Sequence, residues 1–152
     1  MPVDPDTRAA LSDLVDRYGS AVDDRDDAAF AALFAADAEV RIFQPGEDEP
    51  AVVVRGEAIA SVPRPLRAYA ATQHHMGGRV FDVDGAECTG RTSCTARHLV
   101  AAGGRDPSCL VMVITYRDRF VREDGGPWCI GRRDVHIAWW ERCAARRERL
   151  RM

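Results

Sequence analysis

The most informative absence in this sequence is that of a long apolar run. No stretch approaches the roughly 18 consecutive apolar residues that a membrane-spanning helix needs. The opening residues 1–4 contain neither a basic region nor an apolar core. No secretory signal is therefore expected, and the protein is expected to be cytoplasmic.

The chain also lacks a large excess of charge of one sign. The chain carries 21 Lys and Arg against 24 Asp and Glu, a formal net charge of −3. A surface without a strong excess of positive charge has no electrostatic reason to bind nucleic acid or an anionic membrane. Neither is expected as a partner.

Cysteine is present, but in no recognisable pattern. An odd number of cysteines without a CxxC pair predicts apolar thiols in a reducing compartment rather than a disulfide framework or a zinc site. The sequence also lacks the GxGxxG, P-loop and HExxH motifs, so no cofactor and no metal ion is expected. The five cysteines are Cys88, Cys94, Cys109, Cys129 and Cys143.

What the chain does have is enough apolar sequence for one core. Its 152 residues are 46% hydrophobic and 30% charged, which is typical of a globular domain. A single domain over residues 1–152 is expected.

Asp4 before Pro5 marks a helix start, and Asp26 can cap a second helix over 28–34. An apolar stripe at helical spacing consists of Leu11, Leu14, Val15, Tyr18 and Val22.

From residue 71 the apolar period changes to two, which predicts strands. Short turns between them predict an antiparallel meander, and helices followed by such a sheet predict an α+β fold. We expect a cone-shaped α+β barrel, in which the N-terminal helices pack on a curved antiparallel sheet and enclose a pocket. Gly77-Gly78 fits a bulge in that sheet. Strands are predicted over 39–43, 51–55, 71–83, 87–101, 109–122 and 128–139, with turns at 84–85, 103–107 and 124–127.

Strand alternation indicates which side chains share the pocket. In the 71–83 strand Thr72, His74 and Met76 face one way, and His75 faces the other. Small residues precede His98 on one face of the next strand, as suits a concave surface. His74 and His98 are therefore predicted to point into one cavity, provided that no bulge falls between them.

Each candidate also has a structural interpretation. A strand histidine often has only a structural role, Tyr18 on an apolar stripe can be a core residue, and Asp23 at a helix end can be a capping residue. Arg133 either pairs with a carboxylate at the pocket mouth or lies on the surface. Trp128, Trp139 and Trp140 are expected in the core and in oligomer contacts.

The sequence resembles the SnoaL-like polyketide cyclase and dehydratase families of the nuclear-transport-factor-2-like superfamily. Near the N-terminus, the residues that match are Arg17-Tyr18, Asp23, 32–34 and Asp37-Ala38. Near the C-terminus, they are 118–122, Trp128, Ile130 and Arg133. The run Thr72-Gln73-His74-His75-Met76-Gly77-Gly78 and the spacing from Gly90 to His98 are similar to the two histidine strands of scytalone dehydratase.

The resemblance implies roles for single residues. His74 takes the place of the strand histidine that acts as base and acid in these dehydratases. His98 takes the place of the second histidine, and Asp23 takes the place of the aspartate that orients the strand histidine. Tyr18, Asp23 and His74 also resemble the set of the bile-acid 7α-dehydratase group, and Arg133 matches that group's strand arginine.

Two departures from these families bear on the mechanism. The two tyrosines that hold a water in scytalone dehydratase fall near Val22 and near Ile42 or Phe43, and none of these is polar. The general base of ketosteroid isomerase, which the sequence resembles around Tyr18, also falls near Ile42. Isomerase chemistry by that route is therefore disfavoured.

These observations predict a cofactor-independent dehydratase that removes a proton α to a carbonyl and expels a β-hydroxyl from a small hydrophobic cyclic substrate. The predicted catalytic residues are His74, Asp23, Tyr18 and His98, and the predicted substrate contacts are Arg133, Met76, Phe34, Met112 and Tyr116. An intramolecular aldol cyclisation and a ligand-binding domain without catalysis remain alternatives.

The 109–122 strand is apolar on both faces. Only one face can line the pocket, so the other, with Val111, Val113 and Val121, is expected to be buried by a partner subunit. The resemblance implies a homodimer or a homotrimer.

Overall fold

The computed structural model describes residues 3–85, 87–101 and 107–146. Of the turn predicted at 103–107, only Pro107 lies within these ranges. The two ends of the predicted domain lie outside them. The elements are α1 (Pro5–Asp23), α2 (Asp27–Ala31), β1 (Phe34–Phe43), β2 (Val52–Arg55), two 3₁₀ helices (Gly56–Ser61 and Arg64–Ala68), β3 (Ala71–Asp84), β4 (Glu87–Val100), β5 (Ser108–Val121) and β6 (Cys129–Ala144).

Helix α1 begins where the sequence predicts it. The Asp4 side chain accepts a hydrogen bond from the Thr7 amide at 2.9 Å, and Pro5 occupies the first turn. Both features suit a helix N-terminus, where amides lack partners within the helix. The predicted apolar stripe, Tyr18 included, is buried against the sheet.

The second helix is shorter than predicted. Asp26 caps it as expected, but it spans Asp27–Ala31, and β1 already begins at Phe34. The prediction of a helix over 28–34 is therefore wrong at its end. The Ile130 amide donates to the Leu33 carbonyl, and Phe34 pairs with Ile130. Contact with a strand distant in sequence here outweighs local helical periodicity.

The six strands form one sheet in the order β2-β1-β6-β5-β4-β3. Strands β3 to β6 form the predicted antiparallel meander, and the α+β fold is confirmed. The prediction of an entirely antiparallel sheet is wrong, because β1 pairs in parallel with β6. Pairing with β1 covers an edge of β6 that the meander alone would leave open.

The predicted bulge at Gly77-Gly78 is confirmed. Met76 pairs with Cys94 and Arg79 pairs with Thr92, so both glycines lie opposite Ser93 alone. A Cβ on Gly77 would lie 2.7 Å from Ser93 Oγ, which excludes larger residues there without a shift of Ser93. The bulge lies beyond His74 and leaves the predicted alternation of 72–76 intact.

The outer face of the sheet carries exposed apolar side chains. Trp139 pairs with Val113 on this face and is 56% exposed. Val111 is buried within the single chain, so the expectation that it needs a partner is wrong. Trp128 lies in the core as predicted, whereas Trp139 and Trp140 do not. Among the described residues, no helix is long and apolar enough to cross a membrane.

We expect Trp139 to lie in a contact between subunits. The change Trp139→Ser removes the largest exposed apolar side chain of this face and should shift a dimer or trimer toward monomer in analytical ultracentrifugation at micromolar concentration. Val80→Ser, at an exposed valine elsewhere on the same face, is the control and should change nothing. A wild-type chain that sediments as a monomer would contradict this expectation.

Candidate active site

The side chains of Asp23 and His74 meet where the end of α1 crosses β3. Asp23 Oδ1 lies 2.7 Å from His74 Nδ1, and Asp23 Oδ2 accepts the His74 amide at 2.7 Å. Thr72 Oγ1 donates to Asp23 Oδ1 at 2.9 Å. The predicted contact between Asp23 and His74 is confirmed, and the carboxylate is held by three donors.

Gly19 allows α1 to approach β3 this closely. A Cβ at this position would lie 3.3 Å from the His74 carbonyl oxygen and 3.2 Å from Met76 Cε. A larger residue would push the helix away from the strand at His74. The arrangement therefore depends on a small residue one turn before Asp23.

Hydrogen bonding defines the tautomer of His74. A carboxylate only accepts hydrogen bonds, so His74 Nδ1 carries a proton, and in the neutral imidazole the lone pair lies on Nε2. Burial alone would raise the pKa of Asp23, but hydrogen bonds from His74 and Thr72 outweigh it and hold that pKa below its usual value. Asp23 therefore remains an acceptor, and Nε2 of His74 is free to take a proton.

His98 shares the inner face with His74, as alternation predicts. The two ring centroids lie 5.8 Å apart in an edge-on arrangement. His98 Nδ1 lies 3.3 Å from the Leu110 carbonyl oxygen, which can only accept, so that nitrogen donates. Burial, and then the nearby His74, lower the pKa of His98 below its ordinary value. His98 is thus neutral at pH 7, with Nε2 as an acceptor.

Tyr69 covers His98 from the segment before β3. Its ring centroid lies 4.8 Å from that of His98, and its carbonyl accepts a hydrogen bond from Arg25 at 2.6 Å. Tyr69 and Thr72 were not predicted as site residues. Strand alternation placed Thr72 on the face of His74, but no role was assigned to it. Tyr69 precedes the periodic segment and gave no such signal.

Tyr18 belongs to a second cluster rather than to the Asp23–His74 pair. Its ring lies 3.9 Å from the Arg133 guanidinium carbon and 5.5 Å from the Tyr116 ring centroid, and it also contacts Phe30 and Phe34. Burial raises the pKa of Tyr18, so its hydroxyl stays protonated. Of the four predicted catalytic side chains, the structure brings Asp23, His74 and His98 together and places Tyr18 among the aromatic residues.

Arg133 forms a fully buried ion pair with Asp118. Its Nε and Nη2 donate to the two carboxylate oxygens at 2.8 and 2.7 Å, and both side chains have no exposed surface. Burial alone would lower the pKa of Arg133, but Asp118 outweighs it and raises that pKa. Of the two sequence-based alternatives, pairing with a carboxylate is correct, but in the core rather than at a pocket mouth. Nη1 has no hydrogen-bond partner among the described residues.

Cys94 lies between the two clusters on the inner face of β4. It pairs with Met76 on one side and with Ile114 on the other. Burial raises the pKa of its thiol to about 11, against a smaller opposing effect of the Tyr116 hydroxyl. Cys94 therefore stays a neutral thiol and separates the Asp23–His74 pair from the Arg133 cluster.

A cavity of about 240 Å³ opens on the histidine side of the sheet. Leu110, which lines it, pairs with His98, and Met112, which also lines it, pairs with Ala96 beside His74. The whole lining is Gln44, Leu110, Met112, Ile137, Trp140 and Arg142. None of the predicted catalytic side chains lines this cavity or either of two larger depressions, of about 480 and 650 Å³.

The predicted substrate contacts divide between this cavity and the core. Met112 lines the cavity, and Met76 is half-buried beside Gly19. Phe34 and Tyr116 are buried with Tyr18 in the aromatic cluster. Trp140, which lines the cavity, was expected in the core or in oligomer contacts. Within 3–85, 87–101 and 107–146, no group of three or more His, Cys, Asp or Glu side chains is placed to hold a metal ion.

The cone-shaped fold with a histidine–aspartate pair on its inner wall defines a class of small α+β domains. The chain belongs to the SnoaL-like domain family, whose model matches residues 5–134. No curated protein matches the chain at the threshold applied.

Solved structures agree with this fold. The protein Kfla4162 of Kribbella flavida is 20% identical, with a TM-score of 0.77 over 91% of this chain and 95% of its own. A putative scytalone dehydratase of Novosphingobium aromaticivorans is 22% identical, with a TM-score of 0.75 over 89% and 86%. The hexachlorocyclohexane dehydrochlorinase LinA-type3 of Novosphingobium barchaimii is 17% identical, with a TM-score of 0.77 over 95% of both chains. At these identities the likeness concerns the fold.

The buried ion pair generates a prediction on stability. Asp118→Asn leaves the Arg133 charge buried without its counter-ion and should lower the free energy of unfolding by about 3 kcal/mol. Urea denaturation measures this change. Glu87→Gln breaks the exposed pair with Arg119 and should cost less than about 1 kcal/mol. Equal losses in the two variants would contradict the assignment of Arg133 as a charged, desolvated group.

The second prediction concerns pH. The folded-state pKa of His98 is lowered, so the stability it contributes is complete above its unfolded pKa of about 6.5 and is lost as pH falls below that value. His98→Asn, which keeps a donor for Leu110, should reduce the loss of stability between about pH 7 and 5. Some loss should remain, because the pKa of His136 is lowered as well, by burial and by Arg117. His75→Asn, at an exposed site, should retain the wild-type pH profile, and an unchanged profile in His98→Asn would disprove the neutral assignment.

Proposed function

We propose that this protein is a cofactor-independent dehydratase that acts on a small hydrophobic cyclic substrate. The reaction is removal of a proton α to a carbonyl with loss of a β-hydroxyl. The observation that carries the proposal is the 2.7 Å contact between Asp23 Oδ1 and His74 Nδ1, which in the neutral imidazole leaves Nε2 as the basic nitrogen.

The chemical steps follow from the protonation states. His74 Nε2 takes the α proton, and the electrons of that C–H bond form the new double bond as the C–O bond to the β-hydroxyl breaks. Asp23 stabilises the imidazolium formed on His74. The same imidazolium then gives its Nε2 proton to the leaving oxygen, which departs as water. His74 is thereby returned to its starting state.

His98 has a different role in this scheme from the one implied by the resemblance. A neutral imidazole whose Nδ1–H is engaged by Leu110 has only Nε2, an acceptor, left for a substrate. We therefore assign His98 to binding a substrate hydroxyl, and the acid step to protonated His74. A direct role of Tyr18 as donor to an enolate stays a prediction, since its described contacts are with Arg133 and aromatic rings.

The cavity supports a ring-containing substrate. Leu110, Met112 and Ile137 supply apolar walls, and Trp140 offers a ring face that is 57% exposed. Gln44 and Arg142 add polar groups to the same lining, which suits a substrate with one acceptor group at its end. A volume of about 240 Å³ favours a small ring system over a large one.

The test uses two neighbouring histidines of opposite orientation. In heavy water with a panel of small cyclic β-hydroxyketones, the wild type should release water from the substrate and exchange the α proton. His74→Ala should lower this rate by about 10²–10⁴-fold with the fold intact by circular dichroism. His75→Ala, on the exposed face of β3, should retain it.

Three outcomes distinguish the alternatives. A product of unchanged mass with a new ring would identify a cyclase that uses the same proton abstraction. Quenching of Trp140 fluorescence by the ketones without exchange or turnover would indicate binding alone. Equal losses in His74→Ala and His75→Ala would contradict the assigned strand register.

A further inference from the structure

Two cysteines face each other at the end of the β5–β6 ladder. Cys109 pairs directly with Cys143 in the register of these antiparallel strands. The Cys143 thiol also donates to the Cys109 carbonyl oxygen at 3.7 Å. Cys88 and Cys94 are buried, whereas Cys143 is exposed.

Directly opposed residues of an antiparallel pair present their side chains on the same face. Their Cα atoms lie about 4.5–5.5 Å apart, within the range of about 4.4–6.8 Å that a disulfide spans. Their Cβ atoms lie about 4.5–5.5 Å apart, so a small approach of the strands closes the bond. The ladder thus already holds the two thiols in a geometry that needs only a small approach of the two strands.

We propose that Cys109 and Cys143 form a reversible redox site, in which a low-molecular-weight disulfide such as oxidised glutathione converts the two thiols into a cross-strand disulfide. The exposed Cys143 thiolate attacks the glutathione disulfide and releases one glutathione thiolate. The Cys109 thiolate then attacks Cys143 Sγ and releases the second. The two protein thiol protons pass to the two released glutathione molecules, and the two protein sulfurs are oxidised as glutathione disulfide is reduced.

The position of the pair connects it to the cavity. The next register pair along the ladder is Leu110 with Arg142, and both residues line the 240 Å³ cavity. A disulfide at Cys109–Cys143 would hold these two wall residues at a fixed separation. The remaining cysteine that is not buried, Cys129, lies at the other end of β6, opposite Val121, and has no such partner.

The experiment is oxidation of the native protein with oxidised glutathione, followed by peptide mapping without reduction. The expected result is a Cys109–Cys143 linked peptide that disappears on addition of dithiothreitol. Cys143→Ser and Cys109→Ser should each abolish it, and Cys129→Ser should retain it. Glutathione adducts on Cys143 without a link, or links between two chains, would overturn the proposal.

Thermal unfolding supplies a second readout. A disulfide that joins strands already in register should raise the melting temperature of the oxidised wild type and of oxidised Cys129→Ser by on the order of 5 °C. Oxidised Cys143→Ser should melt as its reduced form does. A linked wild type that melts at or below the temperature of the reduced protein would contradict the geometry on which the proposal rests.

Discussion

The contact between α1 and β3 is the constraint on which the candidate site depends. Gly19 lets the helix approach the strand, and Asp23 at the helix end accepts three hydrogen bonds from β3. A second tie lies farther along the same interface, where Arg79 donates to the Ser12 carbonyl and to Asp16. Hydrogen bonds thus hold α1 against β3 on both sides of the bulge, and the Asp23 carboxylate that orients His74 has little freedom to move.

The interior contains two pairs of polar side chains that differ in what they can do chemically. Arg133 and Asp118 neutralise each other in a fully buried pair between two tyrosine rings, which costs desolvation and leaves Arg133 Nη1 without a hydrogen-bond partner among the described residues. Asp23 and His74 also pair, but this pair uses only Nδ1 of the ring, so Nε2 is not engaged by the carboxylate. The first pair suits a role in defining the packing of the cone, and the second suits proton transfer.

Local patterns in the sequence predicted what depends on neighbouring residues. Alternation placed His74 and His98 on one face because both strands are regular there, and Asp4 and Asp26 marked helix starts through hydrogen bonds of short range. The parallel pairing of β1 with β6 could not be predicted, since it joins segments nearly a hundred residues apart and depends on which edge of the meander is open. The prediction for the end of the second helix was wrong at Phe34 for the same reason.

Helix geometry explains why Tyr18 and Asp23 serve different clusters. Residues five positions apart on an α-helix point about 140° away from each other, so Tyr18 faces Arg133 while Asp23 faces His74. In the proposed mechanism proton transfer is therefore assigned to His74, whose ring centroid lies 5.8 Å from that of His98. Two positive charges at that separation in a buried site repel each other, which is part of why the pKa of His98 is lowered. Only His74 has a carboxylate beside it to stabilise its charged form, so the proposed mechanism assigns the proton to His74 and the role of a neutral acceptor for the substrate to His98.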